Sequence, residues 1–505
     1  MLDESILGAA YRAWTDSGLC ALLARLWRLL SRLAKDSLLL GLLFGQSRGD
    51  ALYAESLPGR AFHGLTAGLL RLLRPVSGAL ERSAAGGLAR ALSARSAVLH
   101  FDWLFGCFCC VMFLVPHSYW NNLYALIGAL IFLAAWLLLV AAGRREAVYP
   151  EALGLGPALF ALAVVLSMLF SAERGSSLRF VLHFVTALLL GLLVYAVCRD
   201  RDSLRRMLGF LYAALVLVSA AAITQRALNL VGVNYHYTDT VLNAGVPGRV
   251  FGTLDNPNNL SAFIQMTLPL GAALAALCRD KRRRWLLTLG LALPVVALVM
   301  SYSRSGWMAM LAAALVYVYF NERKLAPALV LLALLALPVL PQSVLTRLST
   351  IFNSADTSTT HRFAIWEGVT AMLRDRLYWL SGIGLGPEAF QAVYKFYAVP
   401  FGVSGVFHSQ MLYLELDVEL GLLGAASFLW MIAKLAGRAG RALGRSRTSG
   451  GRGLLAAVVS GFAALAVSGF AEYMWYYPRC LFACFLFLGV AMAALRIEET
   501  AHITA

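Results

Sequence analysis

The chain has 505 residues, of which 60% are hydrophobic and only 14% are charged. This composition excludes a soluble globular protein and predicts an all-α integral membrane protein with many spans. The formal net charge of +16 does not call for nucleic acid as a partner, because cytoplasmic loops of membrane proteins are rich in Lys and Arg. The eight Cys residues show neither a disulfide pattern nor the spacing of metal ligands.

Residues 1–96 form the first predicted unit, a cytoplasmic basic extension without a span. Leucines recur on one helical face at Leu22, Leu26, Leu29 and Leu33, and basic side chains form a second stripe. This pattern is typical of an amphipathic helix on an anionic leaflet. A second Arg- and Leu-rich stretch, 65–95, is interrupted by Pro75 and by a Gly-Gly pair. The alternative is a poorly ordered basic tail.

Twelve apolar stretches of spanning length follow. They lie near 98–115, 123–142, 153–171, 180–198, 207–224, 258–277, 285–302, 305–320, 326–343, 413–433, 454–472 and 480–495. The loops assigned to the inside hold twenty Lys and Arg residues, and the short loops assigned to the outside hold four. This asymmetry predicts a multi-pass protein with both termini in the cytoplasm.

Two long connections fall on the predicted outer side, 225–257 and 344–412. The second contains helical periodicity, aromatic residues and a Gly-rich turn, which predict an ordered helical cap between spans nine and ten. The chain is therefore divided into N-terminal transmembrane helices (97–244), a catalytic region (245–433) that includes the cap, and C-terminal transmembrane helices with a short tail (434–505).

Three titratable residues lie where the cap enters the tenth span. His408, Glu415 and Glu419 are spaced by seven and four residues, which puts them near one face if the whole segment 404–424 is a helix. Carboxylates at this depth are costly unless they bind, relay protons or orient a partner. The alternative is that the acids line a water-filled vestibule and that His408 only caps the helix.

Three arginines on the predicted outer side need partners. Arg249 precedes an Asn/Pro-rich turn, Arg304 lies in a short turn between spans seven and eight, and Arg362 is near the start of the cap helix. An Arg between two spans faces a cavity or an anion, and its planar fork matches phosphate oxygens. The alternative is that each arginine reaches lipid headgroups.

The order of these residues resembles the O-antigen ligase and O-antigen polymerase family of bacterial envelope glycosyltransferases. The resemblance covers roughly residues 245–430. Its members are Arg249, Asn256-Pro257-Asn258, Ser303-Arg304-Ser305-Gly306, Arg362, Trp366, Gly382, Gly384, Gly386, Phe390, His408-Ser409, Leu412, Glu419 and Gly421. The N-terminal hundred residues are not part of the pattern, and Ser409 stands where the family often has Asn.

The resemblance implies a GT-C-like fold in the bacterial cytoplasmic membrane. It implies a polyprenyl-diphosphate-linked glycan as the donor on the outer face, with neither a metal nor another cofactor. The resemblance implies a glycan, lipid or cell-wall acceptor but leaves its identity open between a lipid A core, a growing polysaccharide, a wall polymer and a protein. Ligase and polymerase activities are not separated by these residues.

Glycosyl transfer from a lipid diphosphate requires the residue types that are present. Arg249 and Arg304 suit the growing charge of the leaving diphosphate, and Arg362 and Asn258 are assigned to donor binding with them. His408 suits a base for the attacking hydroxyl. Glu415 and Glu419 are candidates for a carboxylate that orients His408.

Two other classes of protein share part of this pattern. A transporter or flippase of lipid-linked sugars would also have an Arg-lined cavity, but it needs neither a His at the outer mouth nor a large ordered loop, and repeat halves are not evident. A non-enzymatic scaffold of an envelope assembly complex is suggested by the basic N-terminal extension.

Overall fold

Helices account for all the regular secondary structure in the part of the chain that the computed structural model describes. This part comprises residues 48–232, 247–322, 340–349, 357–398 and 405–503, with isolated positions between them. The all-α prediction is therefore confirmed for these residues. The predicted leucine stripe at 22–33 and most of the predicted span at 326–343 lie outside them.

Nineteen α-helices are found in the described residues. The N-terminal ones are α1 (Arg48–Glu55), α2 (Leu57–Arg82) and α3 (Ala84–Arg95). They are followed by α4 (Phe101–Leu114), α5 (Asn122–Ala141), α6 (Leu155–Phe170), α7 (Arg174–Val197), α8 (Arg201–Ala227) and α9 (Pro257–Leu277). The next are α10 (Lys281–Gly290), α11 (Ala292–Met300), α12 (Arg304–Glu322), α13 (Gln342–Ser349), α14 (Thr357–Arg374), α15 (Tyr378–Ser381) and α16 (Pro387–Ala398). The last are α17 (Leu412–Arg445), α18 (Ser449–Ser468) and α19 (Pro478–Ile503).

The apolar helices agree with the predicted spans in position. A helix occupies eleven of the twelve predicted spans, and the twelfth lies mostly beyond the described residues. Eight described segments, with α10 and α11 taken together, are long and apolar enough to cross a membrane, and α4 and α6 are shorter apolar helices. The structure thus has a multi-pass helical bundle, while the number twelve and the sidedness stay predictions.

The centre of the bundle is formed by α18 and α19. Helix α18 packs against α9, α12 and α17, and α19 packs against α7 and α9. At one end of the bundle, arginines bond to the last acids of α19. Arg201 lies 2.8 Å from Glu498, and Arg438 lies 2.7 Å from Glu499. These ion pairs join α8 and α17 to α19 at the end that the charge pattern predicts to be cytoplasmic.

The N-terminal helices dock on that same end of the bundle. Asp50 Oδ1 of α1 accepts the Leu155 N–H at a distance of 3.0 Å, which caps α6, and Asp50 also pairs with Lys434 of α17. The predicted interruption at Pro75 is wrong, because α2 continues through it and ends at Arg82. The break comes at Ser83, whose side chain caps α3.

The described part of the cap is helical, as its periodicity predicts. Helices α14 and α16 form a small apolar core of their own, with Ile365, Val369, Phe390 and Tyr394 fully or almost fully buried. Val418 of α17 belongs to the same core. The cap is therefore packed directly on the helix that enters the bundle below it.

The predicted continuous helix over 404–424 is wrong at both ends. Helix α17 begins only at Leu412, so His408 lies in the turn before it and does not share a helical face with the two glutamates. Gly421 interrupts the helix with φ +65° and ψ −172°. This backbone conformation is open to glycine and strained for other residues.

The Gly-rich turn of the cap fills the interruption in α17. A Cβ on Gly421 would come within 2.4 Å of the Leu380 carbonyl oxygen, and a Cβ on Gly382 would come within 2.8 Å of the Glu419 carbonyl oxygen. The Ile383 N–H donates to the Val418 carbonyl at 2.8 Å. The two glycines thus allow backbone to pack on backbone at the mouth of the bundle.

We expect Gly421→Ala to destabilise the protein strongly, by at least about 1–3 kcal/mol for the strained backbone alone. Gly440→Ala in the same helix is the matched control, because a Cβ there meets no atom within 4 Å. Alanine in a regular helix is neutral or slightly stabilising. Thermal unfolding of the two variants in detergent measures the difference, and equal midpoints would contradict this account of the kink.

Candidate active site

The turn before α17 is fixed by hydrogen bonds to its backbone. The Ser409 N–H donates to Glu415 Oε2 at 2.5 Å, and Trp366 Nε1 of the cap donates to the Ser409 carbonyl at 2.9 Å. Glu415 is 1% exposed and lies in the first turn of α17. Glu415 therefore holds the backbone next to His408 and does not touch the imidazole.

His408 has a defined tautomer. The Gln410 N–H donates to His408 Nδ1 at 3.0 Å, so Nδ1 is the acceptor and the proton of the neutral ring is on Nε2. Gln410 has a positive φ of 58°, which is uncommon for a residue other than Gly and Asn. Burial, with a smaller contribution from the nearby Arg362 cation, lowers the pKa of His408 to about 4. The imidazole is therefore neutral at pH 7.

Two tyrosines pack beside the imidazole. The ring centroids of Tyr473 and Tyr476 lie 5.6 Å and 4.8 Å from that of His408. The Tyr473 hydroxyl donates to Glu419 Oε2 at 2.5 Å, and burial raises the pKa of Tyr473 well above its usual value. Tyr473 thus remains a neutral donor and connects His408 to Glu419.

Glu419 joins three separate parts of the chain. Its Oε1 accepts the Gly386 N–H of the Gly-rich turn at 3.0 Å, while its Oε2 accepts the Tyr473 hydroxyl. The carboxylate is 2% exposed. The hydrogen bonds of Glu415 and Glu419 go to Ser409, Gly386 and Tyr473, which surround His408, and not to the imidazole itself.

Arg249 is held by the two segments that flank the site. Its Nε donates to the Ser301 carbonyl at 2.7 Å, and its Nη2 donates to Asn258 Oδ1 at 2.6 Å. Asn258 follows Asn256, whose side chain caps α9. Arg249 and Asn258, which were each predicted to bind the donor, are therefore in contact with one another. The structure shows Asn258 as a residue that holds this arginine.

Four arginines lie close enough to influence one another. Burial and the charges of Arg347, Arg304 and Arg362 together lower the pKa of Arg249 to about 9, although Glu472 acts in the opposite direction. Arg347 of α13 is 5% exposed, and its Nε donates to the Tyr302 carbonyl at 3.3 Å. We call Arg249, Arg304, Arg347 and Arg362 the arginine cluster.

Glu472 is the carboxylate that joins the arginine cluster. It accepts Arg362 Nη2 at 3.0 Å and the Ser305 hydroxyl at 3.3 Å. Arg362 Nε also donates to Gln410 Oε1 at 3.1 Å, which connects the cluster to the turn of His408. In the part of the chain that the structure describes, Glu472 is an acid that contacts this cluster of four cations, beside a neutral imidazole.

A cavity of about 190 Å³ opens next to this cluster. It is lined by Arg304, Ser305, Met308, Thr359, Arg362, Phe363, Trp366, Val467 and Ala471. Arg304 and Ser305 are the first residues of α12, so the positive end of the helix dipole faces the cavity. The cavity therefore combines a cationic wall with an apolar one.

The sequence predictions did not include Arg347, Gln410, Glu472, Tyr473 and Tyr476. Gln410 is two positions from His408 in the sequence, whereas the other four reach the site only in the folded chain. Glu472 carried one usable signal, since it is an acid at the end of the predicted eleventh span. Arg347 lies just after the predicted ninth span and had no comparable signal.

The central part of the chain matches a known protein family. Residues 289–429 match the family model described as O-Antigen ligase, a range that contains Arg304, Arg347, Arg362 and His408. The match confirms the resemblance to the O-antigen ligase and polymerase family, and it indicates a membrane glycosyltransferase-like role. No curated protein matches the chain.

A solved structure also shows a likeness to the chain. It is titled "Structural coordination of polymerization and crosslinking by a peptidoglycan synthase complex". The similarity has 19% sequence identity and a TM-score of 0.41, and it covers 68% of this chain and 97% of that chain.

We expect Glu472→Gln to lower the thermal unfolding midpoint, because it leaves the arginine cluster without its carboxylate. The cost is about 1 kcal/mol, because Arg362 and Glu472 are each only partly buried and the lost hydrogen bond is charged. Glu499→Gln is the control, since Glu499 pairs with Arg438 at a more exposed position at the other end of the bundle. Inorganic pyrophosphate should raise the midpoint of Glu472→Gln by more than that of Glu499→Gln, because it supplies the negative charge that only the first variant has lost at the cluster. Equal midpoints for the two variants would contradict the electrostatic account.

Proposed function

We propose that the chain is a glycosyltransferase that transfers or polymerises a polyprenyl-diphosphate-linked glycan onto a hydroxyl acceptor. The reaction takes place at the outer face of the bacterial cytoplasmic membrane. The observation that carries this proposal is the arginine cluster, which meets His408 through Arg362 and Gln410. The match of residues 289–429 to the O-antigen ligase model supports the same chemistry.

The diphosphate of the donor lies against the arginine cluster. Guanidinium forks bind phosphate oxygens with two hydrogen bonds each, and the first N–H groups of α12 add to the positive potential. Glu472 offsets only part of this charge before the donor binds. Because the arginines supply the charge that the leaving group requires, transfer by this site is metal-independent.

The apolar side of the cavity takes the beginning of the polyprenyl chain. Met308 of α12 and Val467 of α18 line it below Arg304, and both helices are part of the membrane bundle. A lipid diphosphate has its charge at the membrane surface and its hydrocarbon below. The cavity offers cationic and apolar groups in the same order.

The reaction forms one carbon–oxygen bond, breaks another and moves one proton. The acceptor oxygen attacks the anomeric carbon, and the bond from this carbon to the diphosphate oxygen breaks, with its electron pair leaving on the diphosphate. His408 Nε2–H donates a hydrogen bond to the diphosphate oxygen, which gains negative charge as its bond to the anomeric carbon breaks. Since Nε2 already carries a proton, the hydroxyl proton passes to a phosphate oxygen of the donor. This assignment replaces the base role that the sequence suggested for His408.

Glu415 and Glu419 act on His408 from a distance. Glu415 fixes the Ser409 backbone, and Glu419 fixes Tyr473, which packs on the imidazole. With Nδ1 occupied by the Gln410 N–H, these contacts leave Nε2 as the reactive edge of the ring. The two acids are therefore positioning residues.

Arg304 variants test the function. We expect Arg304→Lys and Arg304→Ala both to lower transfer by about 10²–10³-fold, because Lys keeps the charge but not the two-pronged geometry. Arg174→Ala is the matched control, since Arg174 is also the first residue of a helix but is exposed and outside the cluster. The measurement is consumption of purified polyprenyl-diphosphate glycan by protein in liposomes with candidate acceptors.

Two results would overturn the proposed function. One is movement of the lipid-linked glycan across the liposome without its consumption, which indicates a flippase. The other is a deletion strain in which no glycan accumulates on the lipid carrier. Full transfer by Arg304→Ala would leave the function standing and would remove Arg304 from the site.

We expect the pH dependence of transfer to show no His408 ionisation between about pH 5.5 and 8. Burial and Arg362 lower its pKa to about 4, so the ring is neutral across this range and becomes protonated only in more acidic solution. The folded protein should also lose stability as the pH falls from about 6.5 towards 4, because the unfolded chain takes up the proton first.

Two variants of His408 separate its roles. His408→Gln places an N–H donor near the position of Nε2, and His408→Asn can accept from the Gln410 N–H but cannot reach as far. We expect His408→Asn to fold normally and to lose about 10²–10³-fold in transfer, and His408→Gln to retain more activity. An acid limb near pH 6.5 that both variants abolish would establish His408 as the base instead.

A further inference from the structure

Helix α2 carries an apolar stripe that faces away from the protein. Its members follow helical spacing and are all exposed, and they are Phe62, Leu65, Leu69, Leu72, Val76 and Leu80. Leu65 and Leu72 are 69% and 74% exposed. Six large apolar side chains on one face of a single helix form a patch of the kind that marks an interaction site.

The other faces of α2 have different chemistry. Leu70 and Ser77 are buried on the side that packs against α5. Four exposed arginines lie roughly opposite the apolar stripe, at Arg60, Arg71, Arg74 and Arg82. An exposed apolar stripe with arginines on the opposite face is the pattern of helices that lie in a membrane interface.

The position of α2 in the bundle supplies a second argument. Helix α5, its neighbour, is an apolar helix of spanning length that is only 17% buried inside the protein, so its outer surface faces lipid. Helix α2 meets the residues just after α5. Glu81 lies 2.6 Å from Arg144, and the His63 ring stacks on Tyr149 at 4.1 Å. The stripe is therefore at the lipid-facing edge of the bundle, where a span ends.

We propose that α2 is an interfacial helix whose partner is the anionic membrane leaflet at this end of the bundle. The apolar stripe enters the boundary between headgroups and acyl chains, and the arginines attract anionic headgroups from the polar side. Asp50 anchors the preceding helix α1 to α6 and α17, which holds α2 at a fixed height relative to the spans.

The test places an environment-sensitive fluorescent amino acid in the full chain at Leu72 or, as a control, at Arg74. Each protein is reconstituted in nanodiscs of phosphatidylcholine with or without phosphatidylglycerol. With brominated lipids, we expect quenching of the Leu72 probe to be at least about twofold stronger than that of the Arg74 probe, as for a face buried in acyl chains. The Leu72 emission should also be blue-shifted.

A fourfold variant tests the choice of an anionic surface. Replacing the four arginines by Gln should abolish the increase in Leu72 quenching that phosphatidylglycerol causes in the unmodified helix. Quenching that never depended on phosphatidylglycerol, or that kept this dependence without the arginines, would overturn the anionic partner. Water-like emission from the Leu72 probe would overturn the interfacial helix. Blue-shifted emission that the brominated lipids do not quench would also overturn it and would indicate a protein partner.

Discussion

The contact between Gly382 and Gly421 is the constraint on which the whole site depends. Only two residues without side chains let the cap backbone reach the interrupted turn of α17. Once it is there, the cap satisfies the Val418 carbonyl and the Glu419 carboxylate with its own N–H groups. Because Glu419 then reaches Tyr473, the cap, α17 and the segment before α19 are joined around a single helical turn.

The arginine cluster lowers the stability of the fold, whereas the contact between Gly382 and Gly421 raises it. Positive charges that are partly removed from water repel one another, as the lowered pKa of Arg249 indicates, and Glu472 offsets part of this repulsion. Such an arrangement costs folding free energy in exchange for affinity towards an anion, as is common at functional sites. The carboxylates of α17 bond to backbone groups and to Tyr473, so they stabilise the site without neutralising the cluster.

Hydropathy predicted the positions of the spans because every span needs a continuous apolar stretch of membrane length, whether it faces lipid or protein. It could not predict contacts between residues far apart, such as Arg362 with Glu472 or Glu419 with Tyr473. His408 was placed on a helix because nothing local reveals that Gln410 adopts a positive φ. The break expected at Pro75 failed for a related reason, since packing on α5 supports the helix through it. The arginines were recognised individually, and their grouping appeared only in the folded chain.

The salt bridge between Asp50 and Lys434 has a consequence for biosynthesis. The two residues are 384 positions apart, so the N-terminal helices cannot complete their docking until most of the chain has left the ribosome and entered the membrane. The docking of α1 is therefore completed late in assembly, when α17 arrives and supplies Lys434.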